Sequence, residues 1–103
     1  MSSQPPFNVT FTTDCQSQLA HLADLAISSG WGHRFAIVLR KMLTELENRP
    51  REWGDPITSL FWMQAVVYNR VLLQDGISIY YAVHDELAEV WVRAVEILPH
   101  EPD

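Results

Sequence analysis

The feature that most narrows the fold is a change of rhythm at Pro50. Before it, Phe35, Val38, Leu39, Met42, Leu43 and Leu46 recur at i, i+3, i+4, i+7, i+8 and i+11, the stripe of an amphipathic helix. Arg34, Lys41, Glu45 and Asn48 lie largely off that stripe. The helix cannot run past Arg49, because proline disfavours a helical residue before it and has no N–H to donate. The stretch "NRPREWGDP" is expected to continue as loop to Pro56. Beyond it, Met63 to Leu73, Ile77 to Val83 and Glu89 to Ile97 are rich in residues that suit the pleated surface of a sheet. "QDG" at 74–76 is a turn signal, and "HDEL" at 84–87 is a short acidic turn. Connections this short predict an antiparallel meander.

Upstream, Phe7, Val9 and Phe11 alternate with Asn8, Thr10 and Thr12, the period of a half-buried strand. Thr13 or Asp14 then offers a cap for a first helix with Cys15, Leu19, Leu22, Ala23 and Ala26 along one stripe. Ser28 to Gly32 ends it, so the two helices form a hairpin. The predicted class is α+β: a strand, a helical hairpin, then a three-stranded antiparallel meander, with the helices on one face of the sheet. In the last two strands Ile77, Ile79, Tyr81 and Val83 are expected to line the core, with Val90, Val92 and Ala94 matching them across the turn. One domain is expected over 7–98, flanked by a polar, proline-bearing tail at 1–6 and an acidic one at 99–103.

Composition bounds the function. A chain of 103 residues that is 48% hydrophobic, with 4 Trp, can bury a core without staples. No apolar run nears the roughly 20 residues of a membrane span, and residues 1–6 lack the basic start and apolar run of a signal peptide, so a cytoplasmic protein is expected. The single cysteine, Cys15, fits a reducing compartment as a buried thiol. The net charge of −6 works against nucleic-acid or ribosome binding, which depends on Lys and Arg displacing counterions. Positive charge gathers at Arg34, Arg40, Lys41, Arg49 and Arg51, but Glu45, Glu47 and Glu52 interleave with it, the pattern of a solvated face.

The order of elements, with "VWVRAVEIL" closing the meander, resembles the RelE/ParE superfamily of small toxin–antitoxin toxins over nearly the whole chain. "PREWGDPITSL" followed by "ISIYYAV" is similar to a subgroup with an R-x-aromatic-G-acidic-P stretch before the meander. RelE-type members are ribosome-dependent mRNA endonucleases, ParE-type members poison DNA gyrase, and each is neutralised by an antitoxin that wraps the sheet and helices. The resemblance therefore implies an antitoxin partner. No glycine-rich phosphate loop, nucleophile elbow or CxxC pair is present in the sequence, and no cofactor is expected. Aligning the tyrosine of the family pattern "RVLYEV" with Tyr81 puts Ser78 where that pattern has arginine. Glu96, Ile97 and Leu98 stand where a basic or histidine pair is common.

Cleavage of RNA through its 2′-hydroxyl needs a base, a cation at the phosphate and an acid for the leaving oxygen. The candidate constellation is Arg70, Arg93, His84 and Tyr81, with Tyr80 beside it, provided these share one sheet face. Candidate binding residues are Trp53, Trp62, Tyr68, Tyr80 and Trp91, because a domain this small buries only some of its aromatics and the rest form an apolar patch. His21 and Asp24 are spaced i, i+3 on the first helix, but two ligands define no metal site, and none is expected. The expected function is non-catalytic protein binding, to an antitoxin, a target or a second copy as a homodimer. The alternatives are an mRNA endonuclease with a rearranged site and a repurposed structural member.

Overall fold

The computed structural model describes residues 6–72, 76–84 and 86–97. Most of the two expected tails and of the "QDG" turn lies outside the described residues. Five strands form one sheet in the order β1-β5-β4-β3-β2, where β1 is Asn8–Phe11, β2 Asp55–Leu60, β3 Ala65–Leu72, β4 Ile77–His84 and β5 Glu89–Ile97. Strands β2 to β5 are joined antiparallel in sequence order, and β1 adds parallel to β5. Helices α1 (Thr13–Ser28) and α2 (Gly32–Asn48) form the expected hairpin on one face. Among the described residues no helix is long and apolar enough to cross a membrane.

The helices form for the reasons their sequences suggest. Thr12, one residue earlier than expected, caps α1: its Oγ1 accepts from the Cys15 N–H at 3.2 Å. Cys15, Leu22 and Ala26 are buried along the predicted stripe, as are Phe35, Met42 and Leu46 on α2. Gly30, at φ +85°, makes the turn between the helices, a conformation that costs glycine little. Arg49 leaves the helical region at φ −144°, as a residue before proline should. Pro50 then begins a further short helix, α3 (Pro50–Trp53), where its missing N–H is no loss.

The stretch expected as loop therefore contains α3 and the start of an edge strand, and the meander has four strands rather than three. Strand β2 carries Pro56, and its register with β3 shifts between Pro56 and Thr58. Both devices suit an edge. A 3₁₀ turn at Phe61–Met63 follows, and Gln64 in the left-handed region at φ 53° swings the chain into β3.

Register decides which side chains meet the helices. Ile77, Ile79, Tyr81 and Val83 of β4 face them, opposite Leu72, Arg70, Tyr68 and Val66 of β3. On β5 the expected alternation fails after Val92. Tyr80 pairs with Ala94 and Tyr81 with Val92, so Arg93 occupies a bulge. The bulge moves Ala94 to the open face and puts Val95, only 3% exposed, into the core in its place. The main core joins the helix stripes to Tyr68, Ile77, Ile79, Tyr81, Val83, Val90, Val92 and Val95. A second, small cluster of Ala65, Val67 and Ala82 against Leu60 lies on the open face.

Candidate functional site

Two regions collect the chemistry-bearing side chains, one on each face of the sheet. On the helix side, Tyr81 is wholly buried, stacked on Tyr68 at 5.4 Å between ring centroids and beside Trp53 at 6.0 Å. Its hydroxyl donates to the Pro50 carbonyl at 2.5 Å and takes a backbone hydrogen bond from Gly54. Burial pushes its pKa well above the usual phenol range, and the Gly54 hydrogen bond only partly opposes this. Arg70 lies over the Trp53 ring at 5.5 Å and donates to the Trp53 carbonyl at 2.9 Å. "PREWGD" is thus a clasp. Proline starts α3, tryptophan plugs the core under Arg70, and glycine admits the Tyr81 hydroxyl.

On the open face, the 3₁₀ turn and the β4–β5 hairpin enclose a groove. One cavity of about 300 Å³ is lined by Leu60, Trp62, Met63, His84, Trp91 and Arg93. A shallower one of about 500 Å³ adjoins it, sharing Trp62, Met63, His84 and Trp91 and adding Phe61, Leu87 and Glu89. The groove exists because Phe61–Met63 leaves the sheet after β2, standing Phe61 and Trp62 into solvent at 87% and 79% exposure. His84 opens the turn to β5, and its Nδ1 accepts from the Leu87 N–H at 3.3 Å, which leaves Nε2 as the protonated nitrogen of the neutral ring. Trp91 Nε1 donates to Glu89 at 3.3 Å. Arg93 rides the bulge, its carbonyl held by Thr12 Oγ1 at 3.4 Å, and among the described residues no carboxylate pairs with its guanidinium.

The register divides the sequence-derived candidates. Of the four cleavage residues, His84 and Arg93 share the groove, whereas Arg70 and Tyr81 face the helices on the other side. The one-face condition is not met, because Arg70 pairs with the core residue Ile79. Of the five binding residues, Trp62 and Trp91 line the groove, and Tyr80 is half-buried on the same face outside it. Trp53 and Tyr68 are 7% and 8% exposed and belong to the core, which corrects their assignment to a surface patch. The sequence reading missed Leu60, Met63 and Leu87. Their signal was faint: a run of bulky apolar residues, "LFWM", directly after a polar strand. His21 and Asp24 are both exposed on α1, and among the described residues no three metal-ligating side chains gather.

Neither a family model nor a curated protein sequence matches the chain. Solved structures do. The RelBE2 toxin–antitoxin complex of Mycobacterium tuberculosis contains a chain that superposes with a TM-score of 0.62 at 20% identity, over 94% of this chain and 97% of that one. The isolated RelE toxin of E. coli superposes with a TM-score of 0.64 at 17% identity, over 92% and 87%. The chain has the fold of the RelE toxins. That fold sets helices against a five-stranded, mostly antiparallel sheet, and the clasp and the Phe61–Met63 turn are how this RelE-like sequence builds it.

Proposed function

We propose that this RelE-like chain is a cytoplasmic toxin-superfamily protein that works by binding protein through the open-face groove, without catalysis. The observation that carries the reading is the display of Phe61, Trp62 and Met63 beside Leu87 and Trp91. These large apolar side chains are 41–87% exposed on one rim, and apolar, aromatic surfaces of this kind are the usual core of protein interfaces. An RNA strand asks for several cations along its path, and this groove offers Arg93 with Glu89 close by. The partners are apolar segments of a protein target and of an antitoxin that competes for the same groove. One structural neighbour is itself a toxin–antitoxin complex, which supports that choice.

One observation favours the alternative of an mRNA endonuclease. His84 and Arg93, an imidazole and a guanidinium that no carboxylate pairs among the described residues, line one cavity with two aromatic neighbours, Trp62 and Trp91, able to stack bases. A single experiment separates the readings. The chain and its variants are expressed in bacteria from a tight promoter, with growth, soluble protein and transcript ends measured together. Protein binding predicts growth arrest that Trp62→Ser and Trp91→Ser abolish, that His84→Ala with Arg93→Ala leaves intact, and that yields no new transcript ends. New ends that vanish in the His84→Ala, Arg93→Ala chain would overturn it in favour of the nuclease. Normal growth with abundant folded protein would support the repurposed member instead. Sedimentation of the purified chain reads the competing occupant of the groove, a second copy.

A further inference from the structure

The deeper of the two cavities on the open face is built to a different plan from the groove around it. Its floor is the sheet, where Ala65 and Ala82, each only 6% exposed, put methyl groups in places that larger side chains would fill. Its sides are Leu60 at the end of β2, Trp62 and Met63 of the 3₁₀ turn, and Trp91 of β5. Thr12, His84 and Arg93 complete the lining. Thr12 Oγ1 is engaged by the Cys15 N–H and the Arg93 carbonyl, and His84 Nδ1 by the Leu87 N–H, so an apolar group entering beside them takes a partner from neither.

Size and lining select the occupant. An apolar cavity of about 150 Å³ binds benzene, and at about 300 Å³ this one has room for a single or a fused ring with its linking carbon. Two tryptophans, a methionine and an arginine line it, and indole, thioether and guanidinium each gain more from an aromatic ring than from a saturated chain. The rim is too large for such a ring alone. The exposed parts of Phe61, Trp62, Met63, Leu87 and Trp91 come to on the order of 600 Å², reckoned at about 150–250 Å² for each large side chain. One ring covers about a third of that, whereas a standard interface buries about 800 Å² on each partner. The ring therefore arrives on a protein chain, whose flanking residues cover the rim and the shallower cavity. A buried aromatic anchor surrounded by weaker contacts is how many interfaces concentrate their affinity.

We infer that this cavity receives one aromatic side chain of the protein that fills the groove, and that it selects an aromatic over an aliphatic residue at that position. The inference rests on the groove being a protein-binding surface.

Indole is the first probe, titrated into the full chain with its alanine methyls isotopically labelled and followed by NMR. Saturable shifts of the Ala65 and Ala82 methyls are expected. Ala82→Leu, which grows the floor into the space, should abolish indole binding as read on the Ala65 methyl. Ala65→Val, a smaller filling read on the Ala82 methyl, should weaken indole and carries the test should Ala82→Leu fail to fold. Benzyl alcohol should bind at least about threefold tighter than cyclohexylmethanol, its saturated counterpart, although the saturated ring is the more hydrophobic. Growth arrest from the tight promoter should be lost in Ala82→Leu. Shifts that do not saturate, or an equal or reversed preference between the two alcohols, would overturn the assignment. So would guanosine bound more tightly than indole, since the cavity would then hold a nucleobase. Arrest that survives Ala82→Leu but is lost in Trp62→Ser overturns the anchor and leaves the groove as a protein-binding surface, whereas arrest that survives both overturns the two together.

Discussion

Replacing Gly54 with alanine should unsettle the fold by a route that one further substitution can isolate. A Cβ at residue 54 would stand 2.5 Å from the Tyr81 hydroxyl oxygen, 3.1 Å from its Cε1 and 3.1 Å from the Asn69 carbonyl oxygen. The ring cannot retreat, being wholly buried between Tyr68 and Trp53. The hydroxyl must therefore give way, breaking its bond to the Pro50 carbonyl and leaving buried polar atoms unsatisfied, at about 1–3 kcal/mol. Repacking around the extra methyl adds about 1–3 kcal/mol. Alanine also restricts the unfolded chain, which returns roughly 0.4–1 kcal/mol. The net loss is about 1–6 kcal/mol, a large part of the roughly 5–15 kcal/mol typical of a domain. It corresponds to a fall of about 5 °C or more in Tm. Tyr81→Phe alone should cost about 1–3 kcal/mol through the same lost hydrogen bonds. The double variant is the diagnostic: once the hydroxyl is gone the 2.5 Å clash disappears, and only the milder contacts at 3.1 Å remain. Urea unfolding followed by tryptophan fluorescence should then show it no less stable than Gly54→Ala, a coupling of at least about 1 kcal/mol. Strict additivity, or a Gly54→Ala chain within about 0.5 kcal/mol of the parent, would refute the account of the clasp.

Thr12→Ala removes the α1 cap and the bond to the Arg93 carbonyl, and should cost about 0.5–2 kcal/mol in thermal unfolding. Phe61→Ser and Trp62→Ser, at positions almost fully in water, should change stability by no more than about 0.5 kcal/mol in the same measurement while acting on partner binding. Alkaline pH should destabilise the chain through Tyr81. Burial keeps its phenol neutral in the folded state, so the unfolded chain loses this proton first once pH passes its ordinary value of 10.0, and stability declines from there upward. Buried Cys15, with its thiol pKa raised above 9.0 by desolvation, acts in the same direction. Urea midpoints measured from about pH 8 upward should therefore fall less steeply in Tyr81→Phe than in the parent, without becoming flat.

The helices were legible because each carries a single periodicity that matches its burial, and the β4–β5 hairpin because its apolar alternation holds as far as Val92. Residues 55–60 were not. Strand β2 is exposed over nearly its whole length and bears a proline, so it shows no apolar alternation and is held in the sheet by backbone bonds to β3. The face to which Arg70 belongs was hidden for the opposite reason. Ala65 and Val67 are buried on the open face while Tyr68 is buried on the helix face, so β3 has no polar side to set its parity. The bulge at Arg93 is invisible in a run that reads as unbroken alternation, yet it sets which of Ala94 and Val95 enters the core. For the candidate site, residue type located His84, Arg93, Trp62 and Trp91, but only register could separate them from Arg70, Tyr81, Trp53 and Tyr68.

The parallel pairing of β1 with β5 joins the ends of the described chain. Asn8 to Phe11 find their strand partners at Glu89 to Val92, some eighty residues later. Until that final strand emerges from the ribosome, Val9 and Phe11 have no sheet to join, and α1 lacks the strand it packs against. Closing so long a loop is entropically slow, and in vectorial synthesis it follows the emergence of the other described strands. The protein is thus a clock on its own translation: a chain cut short before β5 should lack both the core and the groove, which draws Trp91 and Arg93 from that same strand.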